Sequence, residues 1–137
     1  MSVELRGYSD YYEPELLALY DSVGWTNYVR HPKRLQPAYA GSLYTLAAYD
    51  GDTLVGIVRC VGDGVSIIYV QDLLVRPDYQ RRGIGTSLLH AVMDHYAEVY
   101  QFVLLTDSTE KTVAFYRSLG FIRDNDLGCC AFLRMRT

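Results

Sequence analysis

Cysteine is scarce: Cys60, Cys129 and Cys130 are the only three in 137 residues, an odd number with no histidine at metal-ligand spacing. A disulfide scaffold and a zinc module are therefore excluded as organising devices. A chain of this length needs no staple, because one domain of that size buries roughly two thirds of its unfolded surface. The thiols read as small buried apolar groups in a reducing compartment. Nothing marks a paired base beside the vicinal Cys129 and Cys130 that would make either a nucleophile. A basic surplus is also missing. Lys and Arg number 13 against 16 Asp and Glu, a net charge of −3, so no global field exists to grip a nucleic-acid backbone. No apolar run approaches membrane-spanning length, and the opening MSVELRGYSD is too polar for a secretion signal. Repeats, linkers and low-complexity tracts are absent. The expectation is one domain over residues 1–137, cytoplasmic, with neither a membrane nor a nucleic acid as partner.

Tyrosine is abundant instead, at thirteen residues. An apolar ring with a polar tip suits both a partly wet cleft and the packing of strands, and composition leaves the two open. Along the chain, Val3 and Leu5 alternate with polar residues as a short strand would. Pro14, Leu16, Leu17, Leu19, Tyr20 and Val23 give a first helix closed by Gly24, and Pro32 introduces a second, weaker one that ends by Gly41. Residues 43–49 and 54–61 are predicted strands joined at Asp50-Gly51-Asp52, a hairpin turn signal, and Gly62-Asp63-Gly64 is a second such turn. The spacing then predicts a strand at 102–106, a helix through Val113, Tyr116 and Leu119 closed by Gly120, and two last strands at 121–122 and 129–135.

The most informative stretch runs from Tyr69 to Tyr96. Ile67, Ile68, Val70, Leu73, Leu74 and Val75 form an apolar run suited to a strand buried on both faces, and Pro77 stops it. Ile84, Leu88, Leu89, Val92, Met93 and Tyr96 recur at helical spacing, so a helix begins near Gly83. The first amides of a helix have no partner inside it, so a strand, a glycine turn and a helix start make an anion site. Gly83 and Gly85 allow close approach, while Arg81 and Arg82 add the charge that a pyrophosphate would use. A plain junction with a solvated basic turn is the competing reading. The dinucleotide fingerprint does not fit, since Leu88 stands where its third glycine belongs, and neither does a Walker loop.

Residues 75–86, Val-Arg-Pro-Asp-Tyr-Gln-Arg-Arg-Gly-Ile-Gly-Thr, resemble the acetyl-CoA signature Q/R-x-x-G-x-G/A of the GNAT N-acetyltransferases. Ala114-Phe-Tyr-Arg-Ser-Leu-Gly-Phe121 is similar to a second segment of that family. The element order β-α-α-β-β-β-α-β-α-β-β resembles its fold over nearly the whole chain. The fold implied is α/β (α+β), a mixed sheet of about seven strands with about four helices, splayed between strands four and five. The resemblance implies that the splay admits the pantetheine arm of acetyl-CoA, bonded by the backbone of Leu73, Leu74 and Val75. The turn of Gln80, Arg81, Arg82, Gly83, Ile84, Gly85 and Thr86 would then hold the pyrophosphate. It also implies that Tyr116 protonates the leaving thiolate, for a phenol stays protonated at neutral pH; packing on the core is the competing role.

Two positions depart from the family pattern. Thr109 stands where an Asn often contacts the cofactor arm, and Tyr69 or Gln71 stands where many members carry a Glu base. Asp72 is adjacent, but strict alternation points it to the other face unless a bulge turns the strand. The base is then Asp72, a residue from elsewhere, or bulk water acting on an amine of low pKa; a cap or salt-bridge partner is the competing role for Asp72. Trp25, Tyr28 and the Arg30-His31-Pro32 loop match the family's acceptor wall, with Tyr69 and Gln71 beside them; Trp25 packing the first helix is the alternative. The implied activity is acetyl transfer from acetyl-CoA, without a metal, to a primary amine of a small molecule or peptide. A catalytically weak CoA-binding regulatory module of the same fold is the second reading. A homodimer is a possible assembly, because edges of the last strands would allow one.

Overall fold

The computed structural model describes residues 2–136. The chain divides into two compact units, Met1–Leu105 and Thr106–Thr137. The first is built on a five-stranded sheet in the order β1 (Val3–Gly7), β2 (Tyr44–Asp50), β3 (Thr53–Gly62), β4 (Ile67–Val75) and β5 (Gln101–Leu104). The first four strands pair antiparallel with their neighbours. β5 returns parallel to β4 after the helix α4 (Ile84–His95), as a crossover connection requires. Between β1 and β2 lie α1 (Glu13–Ser22), a single helical turn α2 (Asn27–Arg30), a 3-10 turn at Pro32–Arg34, and α3 (Leu35–Ala40).

β3 is the middle of the sheet because of its composition. Leu54 to Cys60 are all buried, and the β-branched residues among them suit a strand covered on both faces. One face packs against the first helices: Leu16, Leu19 and Tyr20 of α1 and Leu35 of α3 form a core with Ala47, Leu54, Ile57 and Leu74. The other receives α4, whose Ile84, Leu88, Leu89 and Val92 are buried. A side chain at Gly56 would lie 3.2 Å from the Leu74 carbonyl oxygen and 3.4 Å from both Ile84 and Leu88. The glycine that permits close helix–strand contact therefore sits on the strand, and Leu88 fills the space above it.

The second unit holds α5 (Glu110–Ser118) and a 3-10 turn at Asp124–Leu127. The two last strands expected from the sequence are not formed, so the sheet has five strands among the described residues rather than about seven. Local bonding explains it. α5 closes with a Schellman arrangement in which Phe121 N–H donates to Tyr116 O at 3.1 Å and Gly120 N–H to Arg117 O at 3.0 Å, so the first amide of the expected strand is taken. Farther on, Asp124 accepts from the amides of Cys129 at 3.2 Å and Ala131 at 3.3 Å, binding the start of 129–135 back to the turn. Apolar content made that segment read as a strand, yet Phe132 is 92 % exposed.

Candidate active site

The junction of β4 and α4 forms as its residue types dictate. Pro77 ends the strand and opens a 3-10 turn at Pro77–Tyr79. Gln80 Nε2 donates to the Val75 carbonyl at 3.0 Å and ties the loop across its base. Arg81 then takes a positive φ of 65°, unusual for a residue with a side chain. Gly83, at φ 80°, is the N-cap of α4. The first helical bond runs from Ser87 N–H to Gly83 O at 2.9 Å. The amides of Ile84, Gly85 and Thr86 thus stand ahead of it, and no side chain caps the helix. The Arg82 guanidinium lies 5.1 Å from the centre of the Tyr79 ring, and the Tyr79 hydroxyl donates to Asp50 at the β2–β3 turn. This is a glycine-opened helix start with no acidic residue in its first turn, and Arg81 and Arg82 directly precede it.

One turn back along β4, the ladder changes. Tyr69 pairs with Val61 and Val70 with Cys60, but Asp72 pairs with Arg59, so Gln71 is an extra residue, a bulge. Residues opposite one another in an antiparallel pair share a face. The bulge consequently puts Asp72 on the face of Arg59, Ile57 and Tyr69, toward the first helices, where unbroken alternation would have put it under α4. Pairing with β5 also ends there: the last partners are Val70 and Leu104. From Gln71 to Val75, the edge of β4 turned away from β3 has no strand partner among the described residues. All four residues of β5 are paired, and β4 runs on beyond them.

Asp72 is 3 % exposed. Its Oδ2 accepts from Arg59 Nε at 2.7 Å and from the Tyr20 hydroxyl at 2.7 Å. Tyr20 also shares a 2.8 Å hydroxyl contact with Tyr39. Arg59 completes its bonding through Nη2 to the Tyr28 hydroxyl at 2.8 Å and Nη1 to Ser42 Oγ at 3.1 Å and Ala38 O at 3.4 Å. Burial raises the phenols of Tyr20 and Tyr28, and the charge on Asp72 raises them further. Burial alone would lower Arg59, but the Asp72 carboxylate reverses that and holds it above its usual value.

Above this network lies a cleft of about 420 Å³ lined by Trp25, Thr26, Asn27, Tyr28, Gln71 and Asp72. α1 ends in a Schellman motif, with Gly24 at φ 78° and Trp25 N–H donating to Tyr20 O at 3.0 Å. That turn directs the chain off the helix, and Trp25 remains 42 % exposed at the cleft. The structure therefore brings together Trp25, Tyr28, Gln71 and Asp72. Tyr69 lies on the same strand face; its phenol is raised chiefly by burial, with the Asp72 charge contributing. Sequence reasoning gives no site role to Arg59, Tyr20 or Tyr39. An arginine inside LVGIVRCV is the available signal, because a charge in a buried strand demands a partner.

In the second unit, Thr109 is the N-cap of α5. Its Oγ1 accepts from Thr112 N–H at 3.3 Å and donates to Asp107 Oδ1 at 2.7 Å. Tyr116 stands on α5 between the rings of Phe115 and Phe121, with centroids at 5.0 and 5.8 Å. Burial, aided by the charge on Asp107, pushes its phenol up to about 12. No cluster of His, Cys, Asp and Glu suited to a metal occurs among the described residues, and no helix among them is long and apolar enough to cross a membrane.

The acetyltransferase (GNAT) family model matches residues 8–121, running through both units. This chain belongs to the GNAT acetyltransferase family. A GNAT family acetyltransferase structure from Streptococcus pneumoniae TIGR4 is 40 % identical, with a TM-score of 0.89 over 98 % of either chain. An uncharacterized N-acetyltransferase, ycf52, of Porphyra purpurea is 31 % identical over 82 % of this chain, which spans 66 % of that relative's length. An aminoglycoside acetyltransferase from a soil metagenomic sample shares the fold, with a TM-score of 0.72 at 20 % identity. In this family member the glycine signature and the stretch of β4 beyond β5 belong to one unit, and the cleft over Asp72 lies in the same unit.

Proposed function

We propose that this acetyltransferase moves the acetyl group of acetyl-CoA to the primary amine of a small molecule by direct attack. The observation that carries the reading is the coincidence at Gln71: β4 loses its β5 partner at the residue where the cleft begins. Acetyl-CoA supplies an activated acyl group as a thioester. The amides of Ile84, Gly85 and Thr86, with Arg81, Arg82 and the glycines, are the diphosphate grip. The edge of β4 turned away from β3, over Leu73, Leu74 and Val75, bonds the pantetheine arm and the acyl carbonyl, where its N–H groups favour the negative charge that builds on oxygen during attack. Thr109 adds contact to the cofactor arm.

The amine nitrogen attacks the thioester carbon, the new C–N bond forms and the C–S bond breaks. Asp72 takes the proton lost by the amine, and Tyr116 gives one to the departing thiolate. Trp25, Tyr28, Tyr69 and Gln71 hold the acceptor. A cleft near 420 Å³ suits a small molecule better than a folded protein. Calorimetry with acetyl-CoA, followed by thiol release across a panel of primary amines, tests the reading. Heat of binding with turnover on at least one amine is expected. No binding by well-folded protein overturns it, and binding without turnover on any amine favours the CoA-binding regulatory module.

A further inference from the structure

The cleft carries a charge pattern that restricts its ligand. Among the described residues that line it, Asp72 is the only acidic one, and both hydrogen bonds of that carboxyl group fall on Oδ2. Oδ1 receives neither, and Asp72 is among the residues that line the cleft. The cation beside it, Arg59, is spent: Nε, Nη1 and Nη2 each hold a protein oxygen, and its side chain is only 4 % exposed. An anionic group entering here would meet a carboxylate and find that guanidinium already engaged. The other walls include the rings of Trp25 and Tyr28 and the amides of Asn27 and Gln71. Aromatic faces attract cations and bury apolar rings.

We propose that the acceptor is a primary ammonium joined to an aromatic or apolar body, its charged end on Asp72 Oδ1 and its body against Trp25 and Tyr28, and that amines bearing phosphate or carboxylate are rejected. This rests on the cleft being the acceptor site. Arg59 sets the selectivity as a positioning residue. Through Nε it engages Oδ2 of the carboxylate, leaving Oδ1 for the ligand, and through Nη2 it holds the Tyr28 ring by its hydroxyl, so the anionic and the aromatic walls are fastened to one planar group.

Trp25 is the single tryptophan of the chain and lines the cleft, so its fluorescence reports occupancy without any turnover. The intact protein is titrated with 2-phenylethylamine, with the neutral isostere 2-phenylethanol, and with O-phosphoethanolamine. Expected is a saturable change with the amine, binding of the alcohol at least about tenfold weaker, and no response to the phosphorylated amine. Asp72→Asn, its fold checked by circular dichroism, should bring amine and alcohol within about twofold of each other. Arg59→Lys should weaken the amine and the alcohol together by several-fold, since it retains a charge for Asp72 but loses the fork to Tyr28.

Equal affinity for alcohol and amine in the unmodified protein overturns the proposal. So does preferential acetylation of O-phosphoethanolamine in the thiol-release assay. Both comparisons need only the unmodified chain, so they decide the matter even where a variant fails to fold. Absence of acetyl-CoA binding would instead sink the acetyl-transfer reading while leaving the ammonium selectivity to be judged by fluorescence alone.

Discussion

Arg59 and Asp72 meet at 2.7 Å with 4 % and 3 % of their side chains exposed, an arrangement in which each residue is tolerable only because of the other. Removing one partner strands the remaining charge, so Arg59→Met is expected to cost about 3–5 kcal/mol. Replacing both, as Arg59→Met with Asp72→Leu, should recover most of that loss, because an apolar pair needs no compensation. Urea unfolding of the two variants checks both figures. At Tyr116 the expectation is chemical. With its phenol raised to about 12 by burial and by Asp107, it stays protonated through the working range of an enzyme. Tyr116→Phe should therefore lower turnover by about 10²-fold with little change in acetyl-CoA affinity, and an unchanged rate would remove Tyr116 from the mechanism. Single residues were unevenly legible. The glycine turn is marked by type and spacing, whereas Trp25 reads equally as packing for the first helix until the cleft beside it is seen. Arg59 is visible as an anomaly and Asp72 as a salt-bridge candidate, but joining the two requires knowing that β4 carries an extra residue.

Among the elements, β4 governs the site. Its bulge at Gln71 sets which side chains face the first helices, and a one-residue slip in a strand exchanges its two faces. Deleting Gln71 should carry Asp72 away from Arg59 or force the rest of the strand out of register. The expected result is loss of at least about 3 kcal/mol, as for a broken buried ion pair, and loss of the fluorescence response to 2-phenylethylamine. Gln71→Ala retains the chain length and should fold as the parent does; thermal melts of the two distinguish length from side chain. The sequence disclosed β1 to β4, α1, α4 and α5 closely because each has a clear period and a marked end. It failed at 121–135. There the apolar content is that of a strand, but Asp124, Asp126 and the Schellman closure after α5 use the backbone groups a ladder would need.

For the molecule as a whole, the tyrosines fix the alkaline limit of stability. Tyr8, Tyr20 and Tyr39 are each raised above the ordinary phenol value, chiefly by burial. The sign follows from proton counts. Above about pH 10 the unfolded chain releases these protons while the folded one keeps them, so stability is complete below that pH and falls as pH rises. For the fully buried Tyr20 the slope is about 1.4 kcal/mol per pH unit. Denaturant midpoints at pH 8, 9, 10 and 11 should be level at first and then drop, and Tyr20→Phe should shallow the drop.

A last consequence concerns the free edge of β4 between Gln71 and Val75. If that edge binds acetyl-CoA as proposed, recognition by main-chain amides has no side chain to delete, and alanine replacements at Leu73 and Val75 would report on packing alone. Proline is the informative replacement where the amide faces away from β3, because it silences that one donor and leaves the β3 ladder intact. A proline walk along these positions, read as acetyl-CoA affinity against melting temperature, would map a contact surface that conventional scanning mutagenesis passes over.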